Sequence, residues 1–254
     1  MNTERILIKT LKKELAGFLA SHQVLPQEIE GVEIDFISIL GDYELSVSSQ
    51  AQSYDVILNL SGEGILVSEG EELKFNSNFI IRPAFNKHYN ISVQNDKEIH
   101  FLRIRKFLSA SDLQYIFNSL ENHTKVYMET LASCPVYTED IKSSKTINRM
   151  ILPEGLVPRF CMGSVETMGP DLVMEHEHPM LDQLFFGLEN CKCTCFANGG
   201  QTVLSENMML HVPLGSKHSV SVAKGDTMAY IWLDFFTTLE GQKYIEEQHQ
   251  MDDK

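Results

Sequence analysis

The chain has 254 residues, 43% hydrophobic and 22% charged, which is the composition of a globular protein long enough to bury one large core or two smaller ones. Its 35 acidic residues outnumber 21 basic ones, and the resulting formal charge of −14 opposes a general affinity for nucleic acid or anionic membrane. No apolar run approaches the roughly 20 residues that span a bilayer, and the odd count of five cysteines fits a reducing cytoplasm better than a disulfide framework.

Taken in chain order, residues 1–30 hold TERILIKTLKKELAGFLASH, where Ile8, Leu11, Leu15, Phe18 and Leu19 recur at helical spacing. An amphipathic docking helix is expected there. Residues 31–108 are dense in short alternating runs broken by Gly, Asn, Ser and Pro, such as YDVILNLSGEGILV and EIHFLRIRKF, which read as antiparallel strands with tight turns. Ser109 and Asp112 are then placed as a capping box, with Leu113, Ile116, Phe117 and Leu120 on one face, and residues 109–149 are expected to form a helical linker. The strand pattern resumes over 150–238. Residues 239–254 read as a short helix and polar tail.

The two β regions repeat one another. Pro83 and His88 recur 130 residues later as Pro213 and His218, with Asp96 opposite Asp226. Asp55 and Gly62 likewise match Gln183 and Asn190, so a turn position needing φ > 0 carries Gly in one copy and Asn in the other. Repetition of a whole module implies a tandem duplication.

The second copy holds a set of ligand-type side chains. His176 and His178 are two apart, so on a strand both imidazoles would point to one side, and His218 follows a Pro-x-Gly-x-x-His turn. A single histidine is most often structural or solvated. Three at these spacings point to a divalent transition metal (Fe, Ni, Mn or Zn), for which imidazole is the commonest ligand.

These residues resemble the cupin superfamily, specifically its two-domain bicupins. The first cupin motif is Gly, five residues, His-x-His, three or four residues, Glu, six residues, Gly. His176, His178, Gln183 and Asn190 follow it, with Gln in place of Glu and Asn in place of Gly, while Gly169 stands one residue too far away. The second motif is matched by Asn207, Pro213, Gly215 and His218, with Val222 where Asn is usual. The resemblance implies an all-β fold of two tandem cupin β-barrels, joined by the linking helix and preceded by the N-terminal helix. It implies a metal held by His176, His178, Gln183 and His218. Asp182 is the rival to Gln183, but Gln183 directly precedes LFFGLEN, the strand that follows the family's Glu, and alternation then turns Asp182 away. An amide ligand contributes no negative charge, so such a site suits an anionic or oxygen-rich small molecule.

The first copy offers only Ser48, Gln50, Asp55 and His88 at matching positions and reads as a degenerate copy. Cys191, Cys193 and Cys195 alternate on one strand at a spacing poor for structural zinc, and read as small buried hydrophobes. His211 is a candidate outside the ligand set. Tyr230, Trp232 and Asp234 would form a polar-aromatic wall if they face inward, and Glu166 and Arg159 are pocket candidates by location alone. Glu166, Tyr230 and Asp234 are therefore the candidate proton-transfer groups. Among cupins with such sites, dioxygenases, isomerases and lyases are the enzymatic expectation, and a small-ligand sensor is the alternative. A homodimer is the expected assembly, with neither nucleic acid nor membrane as partner.

Overall fold

The computed structural model describes residues 6–12, 17–94, 97–178, 180–246 and 250–251. In chain order it forms β1 (Leu7–Thr10), β2 (Leu19–Gln23), β3 (Val32–Leu40), β4 (Glu44–Val47), β5 (Ser53–Ser61), β6 (Gly64–Ser68), β7 (Glu71–Phe75), β8 (Phe79–Arg82), β9 (Tyr89–Ser92), β10 (Glu98–Phe107), α1 (Ala110–Asn118) and β11 (Tyr127–Thr130). Then follow β12 (Val136–Thr138), β13 (Ile147–Val157), β14 (Phe160–Met168), β15 (Asp171–His176), β16 (Leu181–Gly187), β17 (Lys192–Ala197), β18 (Gly200–Ser205), β19 (Met208–Val212), β20 (His218–Val222), β21 (Thr227–Phe236), α2 (Leu239–Glu246) and β22 (Gln250–Met251). No described helix is long and apolar enough to cross a membrane.

Contacts divide the chain into two compact units, residues 12–133 and residues 134–254 together with the N-terminal segment up to Leu11. The first unit has a six-stranded sheet ordered β11-β8-β5-β10-β3-β2 and a four-stranded sheet ordered β4-β9-β6-β7. The second has β1-β19-β16-β21-β14-β13, extended by β12 and β22, and a four-stranded sheet β15-β20-β17-β18. The strand order is the same in both. Each unit is thus an antiparallel two-sheet jelly roll, filled in the first by residues such as Ile37, Ile57, Leu66, Ile91 and Phe101 and in the second by Val165, Phe185, Leu204, Val220 and Trp232.

The N-terminal helix expected over 1–30 is not formed by the described residues. Leu7–Thr10 pairs antiparallel with Met208–His211, and Leu19–Gln23 pairs with β3, leaving Phe18 exposed. Leu15 lies outside the described residues. A short amphipathic helix is marginal by itself, whereas a strand laid on an open sheet edge gains a full ladder of backbone hydrogen bonds. The expected linker is α-helical only in α1, followed by two short 3-10 turns at Leu120–His123 and Leu131–Ser133; in α1 the Ser109 side chain accepts from the Asp112 N–H while Asp112 accepts from the Ser109 N–H at 2.8 Å. Beyond it, β11 joins the first unit through β8, and β12 joins the second through β13. The helix near the C-terminus is present as α2. Asp96, read as the counterpart of Asp226, lies outside the described residues.

The matched turn positions have the same backbone sign, φ +88° at Gly62 and +62° at Asn190. They differ in surroundings, because a Cβ at Gly62 would collide with the Glu98 carbonyl. Gly62→Ala should therefore cost about 2–4 kcal/mol in denaturant unfolding, while Asn190→Gly should shift stability by less than about 1 kcal/mol. Equal costs at the two positions would show that the Glu98 carbonyl does not set the two turns apart.

Candidate metal centre

Three local features bring the histidines together. β15 pairs with β20 so that His176 stands opposite His218, after a register shift between Val173 and His176. His178 lies two residues beyond the end of β15, so it is placed by a loop and not by strand alternation. The turn that carries His218 reaches back to that loop: the Gly215 N–H donates to the His178 carbonyl at 3.3 Å, and Gly215 takes φ +70°, where glycine alone is unstrained. The ring centroids are 4.2 Å apart for His176 and His218, 4.8 Å for His176 and His178, and 5.6 Å for His178 and His218. Their potential ligand nitrogens lie within 4.8 Å of one another.

The ring orientations are fixed by backbone. His176 Nδ1 lies 2.8 Å from the Met174 carbonyl and His218 Nδ1 lies 3.0 Å from the Ser216 carbonyl. A carbonyl only accepts, so both Nδ1 atoms carry the proton and both Nε2 atoms keep a lone pair, the tautomer a metal requires. Burial also holds these rings neutral. It lowers the His176 pKa, and at His218 burial and the neighbouring His176 lower it from 6.5 to about 4.

Gln183 lies on β16 directly across from Asp234 on β21, and its Nε2 donates to Asp234 Oδ1 at 2.7 Å. Both are buried, at 6% and 4% exposure. Gln183 Oε1 and His218 Nε2 are buried lone-pair atoms that meet no hydrogen-bond donor. Leaving such atoms unsatisfied costs about 1–3 kcal/mol each. Imidazole nitrogens and an amide oxygen bordering one cavity fit a divalent transition ion. Asp182 is turned away, its Oδ1 accepting from the Leu214 N–H at 2.9 Å and facing His211 Nε2 at 3.3 Å. That contact also accounts for His211, which does not reach the centre.

The histidines and Gln183 border a cavity of about 500 Å³. Val173, Phe185, Val220, Tyr230 and Trp232 wall it, so Tyr230, Trp232 and Asp234 do face inward. Trp232 lies against Gly163, where a Cβ would overlap the indole. Its lining also includes polar residues that the sequence did not single out, Lys142 and Glu139 among them. Lys142 pairs with Glu139 at 2.7 Å, with side chains 6% and 16% exposed, and its ammonium sits 5.6 Å from the Tyr137 ring centre. The segment carrying them is tied to β15 by the Met174 N–H donating to the Ile141 carbonyl at 2.9 Å. Asp171 secures it further, accepting from Ser143, Thr146 and Thr167 hydroxyls.

Two location-based candidates are not brought to the centre. Glu166 is exposed on the side of β14 opposite the buried Val165, because alternation sends neighbouring side chains to opposite faces. Arg159 sits at a φ +58° turn and donates to the Phe236 and Thr237 carbonyls, holding the chain that leads into α2. All five cysteines are buried and none forms a disulfide. Cys191, Cys193 and Cys195 point into the core, with Cys191 and Cys193 sulfurs 3.9 Å apart, and the thiol pKa is raised at both, at Cys191 first by the Cys193 contact and then by burial.

In the first unit the matching positions are closed. Asp55 accepts two hydrogen bonds from Arg105, at 2.7 and 2.8 Å, and a third from the Tyr89 hydroxyl at 2.7 Å. His88 is exposed. The remaining space beside Ser48, Gln50 and Asp55 is about 20 Å³, room for about one water.

No protein-family model and no curated protein matches the sequence. Solved structures do match, and they have the cupin fold. The chain is similar to a cupin 2 conserved barrel domain protein from Leptotrichia buccalis, at 14% identity over 89% of this chain and 92% of that one, TM-score 0.61. A protein named as glyoxylate-induced from Pseudomonas aeruginosa matches at 10% identity over 92% and 88%, TM-score 0.74. Oxalate decarboxylase from Lactobacillus farciminis matches at 9% identity over 94% and 88%, TM-score 0.65. At these identities the likeness is one of fold.

Two outcomes are expected. Between pH 6.5 and 4 the unfolded metal-free chain takes up a proton at His218 that the folded chain refuses. Stability is therefore full above the unfolded value and falls as pH drops, by up to about 3 kcal/mol from this group. Denaturant unfolding of the metal-free protein across that window should show the loss, and His218→Ala should flatten it. Gly163→Ala should displace Trp232 and cost about 1–3 kcal/mol, seen as a lower unfolding midpoint.

Proposed function

We propose that the chain is a tandem-cupin, metal-dependent enzyme whose second unit acts on a small anionic or oxygen-rich metabolite. The observation that carries this reading is the meeting of three histidines with a fourth, donor-starved oxygen at Gln183 on the wall of one ligand-sized cavity. His176, His178, His218 and Gln183 would hold the ion. A bound divalent metal would supply Lewis-acid polarisation of a carbonyl, enol or carboxylate oxygen and would acidify a bound water.

The chain's own residues supply the rest. Phe185, Tyr230 and Trp232 exclude water and grip the apolar edge of the ligand. Lys142 contributes a positive charge on the cavity wall beside Glu139, suited to orienting an anionic end. Gln183 adds no negative charge of its own, and the nearest carboxylate, Asp234, lies one hydrogen bond behind it. Dioxygenase, isomerase and lyase chemistry all fit such a centre. The second reading is a binding or sensing protein. It is favoured by the pairing of two of the acidic groups on the cavity wall, since Asp234 already accepts from Gln183 and Glu139 already binds Lys142.

Elemental analysis of the purified protein should find a stoichiometric transition metal that His176→Ala/His178→Ala loses. A metal-free wild-type protein, or a double variant that keeps its metal, would sink the assignment. Oxygen uptake and product formation with catechols, diketones and keto-sugars then separate oxidative from isomerising chemistry. Ligand binding without turnover across the set would favour the sensor.

A further inference from the structure

We infer that Asp234 is the positioning residue of this centre: it holds the Gln183 amide with Oε1 toward the imidazoles and supplies, from behind, the negative charge that an amide ligand lacks. The inference rests on the metal reading proposed above and concerns how this chain sustains an unusual fourth ligand.

A glutamine amide is planar, and its two ends exchange places by one rotation with little intrinsic preference. A metal accepts only the oxygen end; the NH2 end would turn two donors toward a cation. Asp234 resolves this choice. A carboxylate only accepts, so the 2.7 Å contact must come from Gln183 Nε2, and the oxygen is left pointing away from Asp234. The structure has Oε1 buried and without a hydrogen-bond donor, on the same cavity as the orphaned His218 Nε2. Direct opposition of Gln183 and Asp234 on β16 and β21 fixes the geometry through the backbone register.

Charge gives an independent argument. Three neutral imidazoles, a neutral amide and one carboxylate carry a total of −1, the same as three imidazoles and a glutamate ligand. The charge has moved one hydrogen bond outward. The equivalent cross-strand pair in the first unit is Asp55 opposite Arg105, which is also complementary. In both units this cross-strand position carries a matched pair. Gln183 is therefore half of a paired exchange and not a weakened ligand. Glutamate at 183 facing Asp234 would set two carboxylates against each other at a site only 4–6% exposed.

The test is a charge-swap series read by metal binding. Metal-free wild type, Asp234→Asn and Gln183→Glu/Asp234→Asn are titrated with Zn2+ and with Mn2+ against a chromophoric chelator, and the unfolding midpoint of each metal-free protein is recorded. Asp234→Asn keeps an acceptor but removes the charge, and its affinity should fall about 10–100-fold. The double variant returns the charge to the ligand itself and should recover to within a few-fold of wild type. A residue of purely structural importance would not be rescued by a change at Gln183. Wild-type affinity in Asp234→Asn, or a double variant no tighter than the single, overturns the inference. If Asp234→Asn does not fold, the double variant decides alone: near-wild-type affinity supports the inference and loss of binding overturns it. Wild-type protein that binds neither ion overturns the metal reading and this inference together, a result distinct from wild-type binding with failed rescue.

Discussion

The register of β16 against β21 is the constraint from which the rest of the centre follows. It sets Gln183 opposite Asp234 and Phe185 opposite Trp232, so one face of two adjacent strands supplies both a polar pair and an aromatic wall. A slip of one residue would replace these groups by Asp182, Leu184, Leu233 and Phe235 and abolish the cavity lining. Register here is enforced by burial on both sides, because Ile231 and Leu233 on the reverse face of β21 are themselves fully buried. The β15–β20 pairing then needs only to deliver His176 and His218 to a wall that is already built.

The same strand order produces opposite results in the two units. In the first, the matching cross-strand position is an aspartate clasped by Arg105 and Tyr89, which consumes the acceptors and leaves space for little more than a water. In the second, a shorter polar pair and the absence of a guanidinium leave the interior open. A buried, bidentate ion pair is costly to break once formed, because either partner alone would be a stranded charge. Opening the first unit would thus take several simultaneous changes, which is why one copy can stay a packed body while the other keeps an open, histidine-lined cavity.

Much of this was legible in the residues. Period-two alternation marked the strands, and the Pro-x-Gly-x-x-His turn was readable because Gly215 must take a positive φ to fold His218 back toward His178. The choice of Gln183 over Asp182 came from its alignment with the Glu of the cupin motif, and strand alternation then turned Asp182 away. The N-terminal segment was misread because its apolar spacing suits a helix, while its actual partner, β19, lies some two hundred positions away in sequence. Lys142 and Glu139 were missed because their segment has no periodicity, and their placement depends on tertiary ties to Met174 and Asp171. Glu166 was chosen by neighbourhood alone; the inward phase of β14 is set by Val165 and by Gly163 beneath Trp232, and it excludes Glu166.

The pairing of β1 with β19 has a consequence for how the chain is made. Leu7 pairs with His211, so β1 has to wait for about two hundred further residues of synthesis before its partner strand exists. At about 5–20 residues per second, that wait is of order 10–40 s on the ribosome. During it, the first unit has its own closing strand in β11 and can complete its sheet, while the second unit cannot. The open edge of β19 is thus closed by a strand some two hundred residues upstream, and that ladder can form only once β19 itself exists.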